Sequence, residues 1–167
     1  MKKMKKILFA FAVFFLVGCL SFGQERKIPN INVKTLSGKK FNISDLKNDG
    51  NPIVISFWAT WCKPCIKELN NIAEIYDEWQ DETGVKIVAI SIDDSRSKAK
   101  VSPYVNSSDW EYEVYLDQNG DLKRAMGVST VPHTFLLNQN NEIVWQHKGY
   151  VDGDEHKLFK EIKKIAK

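Results

Sequence analysis

Cysteine is scarce in this chain. Only three occur among 167 residues, and two of them, Cys62 and Cys65, are close neighbours. A disulfide-stapled scaffold needs pairs spread along the sequence, so that class is excluded. A structural zinc site is poorly served too, because there is no second Cys-x-x-Cys and the histidines lie far downstream. His147 and His156 show no spacing that would make them ligands. No apolar run approaches the roughly 20 residues a transmembrane helix requires. The formal net charge is only +3, from 24 basic and 21 acidic residues. Lys2, Lys3, Lys5 and Lys6 all precede residue 7, and without them 20 basic residues face 21 acidic ones. The basic character therefore belongs to the N-terminus, and a nucleic-acid-binding surface is not indicated. Internal repeats and low-complexity tracts are also lacking.

The N-terminus has a purpose of its own. A lysine-rich head is followed by the apolar run Ile7 to Val17 and then by small and polar residues from Gly18 to Gln24. That is the layout of a secretory signal spanning residues 1–23. Two ends remain open for it. Leu16-Val17-Gly18-Cys19 resembles a lipobox, which would make Cys19 a lipidation site. Ser21-Phe22-Gly23 is an acceptable small-x-small cleavage site, which would release a chain starting at Gln24. Either way the protein is expected in the periplasm or on the outward membrane face, and either way Cys19 is lost as a free thiol. Residues 24–167 are then one domain, large enough to bury a core unaided.

Within that domain Ile31, Val33, Phe41 and Ile43 alternate with polar residues around Ser37-Gly38, as in a β-hairpin. Ile53 to Trp58 reads as a strand buried on both faces. From Cys62 to about Asp81 apolar residues recur at helical spacing, and Gly84 ends that helix. Val85 to Ile92 is a further buried strand, so strand, helix and strand form a right-handed βαβ unit. Lys98 to Val105 is weakly helical, Tyr112 to Leu116 is a strand, and Asp121 to Met126 is a short helix with an acidic N-cap. Thr134–Leu137 and Ile143–His147 form a second hairpin. An amphipathic helix from Asp154 to Ala166 closes the chain, with Leu158, Phe159, Ile162 and Ile165 inward.

The chemistry gathers where the first buried strand meets its helix. The first helical turn offers unpaired N–H groups and the positive end of the dipole, which stabilise a thiolate at Cys62. Pro64 falls where a missing N–H costs little. Cys65 lies one turn further in on the same side, within disulfide reach but more deeply placed. Cys62 is thus the attacking thiol and Cys65 the resolving one. A purely structural bridge would close a very small loop and stabilise little.

The segment Phe57-Trp58-Ala59-Thr60-Trp61-Cys62-Lys63-Pro64-Cys65 resembles the active-site stretch of the thioredoxin superfamily, nearest its exported ResA/TlpA-like branch. Thr130-Val131-Pro132-His133-Thr134-Phe135 resembles the cis-proline loop that faces the cysteines in that superfamily. The resemblance covers the chain from about Ile28 onward. It implies an α/β, thioredoxin-like three-layer sandwich: a central mixed sheet, helices on both faces and an added N-terminal β-hairpin. It also implies that the Val131 backbone, Pro132 and Trp61 contact substrate. The alternative, that Pro132 merely begins an edge strand, stays open. At Glu68 this branch carries a glutamate that serves the buried cysteine as proton acceptor and donor; a solvated first-turn glutamate is the other reading. Trp58 and Trp61 are expected to wall the site. His133 departs from a frequent threonine and could either titrate near the site or cover the strand.

The implied activity is dithiol–disulfide exchange with protein substrates, in the reducing direction, with apocytochrome c as one candidate. Electrons would come from a membrane thiol carrier. The chain is expected to act as a monomer without cofactor, metal or nucleic acid, and to meet the membrane only through a lipid anchor. Two rivals remain. A peroxiredoxin would set its cysteine in a proline- and threonine-rich turn, whereas here tryptophans surround a pair. A copper-binding or redox-sensing module of this fold would space its cysteines by three residues and add a distant histidine.

Overall fold

The computed structural model describes residues 26–167, so the N-terminal signal-like segment, Cys19 and both cleavage points lie outside the described residues. The strands are β1 (Asn32–Thr35), β2 (Lys40–Asn42), β3 (Ile53–Trp58), β4 (Lys86–Ser91), β5 (Glu113–Leu116), β6 (His133–Leu137) and β7 (Ile143–Lys148). The α-helices are α1 (Lys63–Ala73), α2 (Tyr76–Thr83), α3 (Val101–Asn106), α4 (Asp121–Ala125) and α5 (Asp154–Ile165). All strands join one sheet in the order β2-β1-β5-β4-β3-β6-β7. No helix among the described residues is long and apolar enough to cross a membrane.

Every residue of β3 is buried, as its unbroken apolar run requires of a strand covered on both faces. It pairs parallel with β4 and antiparallel with β6, while β4 pairs parallel with β5. The mixed sheet expected from the sequence is thus present, parallel in the middle and antiparallel at the β6–β7 edge. The β1–β2 hairpin adds to the opposite edge through β5.

The alternation of β3 divides the interior. Val54 and Trp58 point into a cluster with Leu69 and Ile72 of α1, Val101 and Val105 of α3, and Leu158 and Ile162 of α5. Ile53, Ile55 and Phe57 point the other way, towards Ile43, Leu46, Leu122 of α4 and Met126. The ring of Trp79 on α2 stacks on Phe159 of α5 with centroids 4.9 Å apart.

Two local expectations are corrected. The long helix after the cysteines is broken at Glu74–Ile75, where Ile75 leaves helical geometry and its N–H bonds back only three residues to the Ile72 carbonyl. The apolar stripe nevertheless carries through the break, since Ile72, Tyr76 and Trp79 all remain buried. Gly84 ends α2 in the left-handed region, φ 63°. A Cβ there would meet the Asn51 side chain at 2.8 Å, so glycine is required twice over. The second correction concerns α4, which Asp121 does not cap. Its N-cap is Gly120, and the carboxylate of Asp117 accepts from the N–H groups of Leu122 and Lys123.

Candidate active site

The last residue of β3 and the first of α1 are separated by Ala59-Thr60-Trp61-Cys62. Cys62 is the N-cap of α1, Pro64 sits in its first turn, and the Cys62 Sγ accepts from the Cys65 N–H at 3.3 Å. A disulfide joins Cys62 and Cys65, whose Cα atoms are 5.3 Å apart. The two sulfurs are unequally placed, with Cys62 6% exposed and Cys65 fully buried. An incoming thiol or disulfide therefore meets Cys62 first.

The loop ahead of Cys62 is held by a residue that sequence reasoning passed over. Asp93, just beyond β4, is 1% exposed. It accepts the Thr60 N–H at 2.9 Å and the Thr60 hydroxyl at 2.7 Å. It also accepts the Ser91 hydroxyl at 2.9 Å. A buried carboxylate served only by neutral donors needs all of them, and they in turn need it. Asp93→Ala strands the Thr60 amide and the Ser91 hydroxyl. It is expected to lower the stability of the oxidised protein by about 2–4 kcal/mol in urea unfolding. Asp93→Asn keeps an acceptor oxygen and is expected to cost clearly less.

Glu68 lies one turn after Cys65 and is 4% exposed, on the sheet-facing side of α1. Its Oε1 accepts the Thr134 hydroxyl of β6 at 2.7 Å, and its Oε2 faces the Ser56 hydroxyl of β3 at 3.3 Å. Burial drives its pKa up to about 7, against the two hydroxyl bonds that pull it down; the charges of Asp154 and Glu155 on α5 add a smaller upward push. The hydroxyls suit either protonation state. Thr134 donates to the carboxylate, while Ser56 can donate to Oε2, or accept from a protonated Oε2 and turn its own hydrogen towards Thr134, 3.4 Å away. The solvated first-turn reading of Glu68 does not fit this burial. Ser56 and Thr134 were not singled out by sequence. Their signal is a hydroxyl inside an otherwise apolar run, Ser56 in β3 and Thr134 ahead of Phe135-Leu136-Leu137 in β6, each of which must find a buried partner.

The Val131–Pro132 peptide bond is cis. His133 pairs in register with Phe57, so Pro132 falls level with Trp58 at the end of β3 and Val131 one residue beyond, where the loop towards Cys62 begins. His133 is 1% exposed and stacks on Phe135, on the face of the sheet opposite Thr134 and Glu68. Its Nε2 lies 3.2 Å from the Gln146 side chain. Burial lowers its pKa, which keeps the ring neutral near pH 7. It therefore neither shares the Glu68 network nor covers a solvent face. The two tryptophans also differ. Trp58 is fully buried, in the same cluster as both cysteines and edge-on to Trp110. Trp61 is 62% exposed, so it stands out beside the cysteines and does not close over them. Trp110, Tyr112 and Tyr115 are buried as well.

The AhpC/TSA family model matches residues 25–146. The thiol-disulfide oxidoreductase ResA of Bacillus thuringiensis subsp. konkukian (strain 97-27) is 32% identical over 141 residues, covering 84% of this chain and 78% of its own. ResA of Bacillus subtilis (strain 168) is 35% identical over 133 residues, covering 80% of this chain and 70% of its own. The solution structure of an uncharacterized thioredoxin-like protein from Porphyromonas gingivalis shares 46% identity with a TM-score of 0.75, covering 83% of this chain and 91% of that one.

Proposed function

The chain belongs to the AhpC/TSA family as a thioredoxin-fold relative of the ResA thiol–disulfide oxidoreductases, and on that premise we propose that its Cys62–Cys65 pair reduces disulfides of exported protein substrates. The observation that carries this reading is the asymmetric pair at the start of α1: a reachable Cys62, a buried Cys65 and a buried acid one turn beyond.

In the reduced protein the Cys62 thiolate attacks one sulfur of a substrate disulfide. A Cys62–substrate disulfide forms, the substrate S–S bond breaks, and the departing substrate thiolate takes a proton. Cys65 then gives its proton to the ionised Glu68 and attacks Cys62 Sγ. The Cys62–Cys65 disulfide closes and the second substrate thiolate leaves, protonated in its turn. Two electrons pass to the substrate, and the protein is left oxidised. A dithiol carrier in the membrane returns it to the reduced state. In this reading Trp61, Val131 and Pro132 receive the substrate backbone.

Apocytochrome c before haem attachment is one substrate that fits a Cys-x-x-Cys reductase acting beyond the cytoplasmic membrane. The direction of electron flow is tested by equilibrating the pair with glutathione redox buffers. A midpoint potential more reducing than about −200 mV is expected. A value near −120 mV, where strong oxidants of this kind lie, would make the protein a disulfide donor and overturn the reductive reading.

A further inference from the structure

Beside the exposed Trp61 lies a cleft of about 620 Å³, bounded by the segment after β4 and the loop that leads into α4. Its lining is cationic. Arg96, Lys100, Lys123 and Arg124 contribute to it, against a single carboxylate, Asp94. The acidic groups nearby are already engaged. Asp94 pairs with Arg96 at 2.7 Å and Asp121 with Arg124 at 2.5 Å. Asp117 accepts backbone N–H groups of α4, and Asp93 is turned inward to Thr60 and Ser91. Lys100 and Lys123 are left with no ion pair or side-chain hydrogen bond among the described residues. This surplus does not follow from overall charge, since beyond the N-terminal lysines acidic residues slightly outnumber basic ones.

We infer that this cleft binds an acidic segment flanking the target cysteine of the protein substrate, with Trp61 as its apolar end and Lys100 and Lys123 as its anion contacts. The inference rests on the exchange reading above and adds a substrate class to it. Uncommitted cations in a cleft that Trp61, the residue before Cys62, also lines raise the encounter rate of an anionic partner and fix its register, and both effects weaken with salt. Aspartate or glutamate side chains on the flank would reach the two ammonium groups while the flank packs on the indole.

The test uses the reduced protein and model peptides, each carrying one mixed disulfide with hydroxyethanethiol, whose flanks are acidic, neutral or basic. Each reduction rate is divided by the rate on hydroxyethyl disulfide, which has no flank to bind. The acidic peptide is expected to react roughly tenfold faster than the neutral one at low salt, with the advantage shrinking near physiological ionic strength. In the double variant Lys100→Glu/Lys123→Glu the order is expected to invert in favour of the basic peptide. Equal normalised rates for acidic and neutral peptides in the wild-type protein would overturn the inference and leave the exchange reading intact, as would an acidic preference that survives the double substitution. No reaction with hydroxyethyl disulfide would overturn the exchange reading, and this inference with it.

Discussion

Replacing Cys62 by serine is expected to slow disulfide reduction by more than about 10³-fold, because the attacking atom is lost and Cys65, the other cysteine among the described residues, is out of reach. Cys65 is fully buried behind the first sulfur, whereas Cys62 keeps 6% of its surface open. Cys65→Ser is expected to give a different failure. Cys62 still attacks, but with no resolving thiol the protein accumulates as a mixed disulfide with its substrate. Mass spectrometry under non-reducing conditions separates the two outcomes. A Cys62→Ser protein that still forms adducts through Cys65 would reverse the assigned roles. So would a Cys65→Ser protein that turns over without trapping.

The place of the pair was legible in the sequence, since the Cys-x-x-Cys falls where an unbroken apolar strand hands over to an amphipathic helix. Strand β3 was equally legible, because six consecutive residues suited to burial leave little room for another structure. The broken helix was not. Ile72, Tyr76 and Trp79 keep a helical spacing across Glu74–Ile75, and neither proline nor glycine marks the turn. Periodicity reports which side faces the core, and that side does not change at the break.

The contacts around the cysteines escaped for a related reason. Thr60 and Asp93 are 33 positions apart, and Glu68 and Thr134 are 66 apart. What brings each pair together is strand order: β3 lies between β4 and β6, so residues at the end of β4 and on β6 converge on the loop and helix that follow β3. A single sequence offers the polar residues but not their partners. The cap of α4 was misread in the same way, since an aspartate inside the helix stood nearer than Asp117, which does the capping from the preceding loop.

Glu68→Gln is expected to have the second large effect, and its signature lies in the pH dependence. The ordinary carboxyl value is near 4.5 and that of the folded protein about 7, the increase coming chiefly from burial. Below pH 4.5 the group is protonated in both folded and unfolded chains and adds no pH dependence. Between 4.5 and 7 the unfolded chain gives up its proton first, so stability falls as pH rises, and the loss is complete once the folded group ionises. The drop amounts to about 3 kcal/mol. In the glutamine variant this component vanishes. Urea midpoints of the oxidised proteins should therefore converge at low pH, with the variant the more stable at pH above 7. Activity should move the opposite way. On the proposed mechanism an ionised Glu68 takes the Cys65 proton as the Cys62 mixed disulfide resolves, so that rate should rise through pH 7 in the wild type and be roughly 10²-fold slower in the variant, without that inflection. Thr134→Val supplies the cross-check. It removes the hydroxyl that holds Oε1 at 2.7 Å and lowers the carboxyl pKa. The upper edge of the stability window and the rate inflection should both move upward together, while the lower edge stays at the unfolded value. An inflection that stays in place in Glu68→Gln would assign the proton to another group.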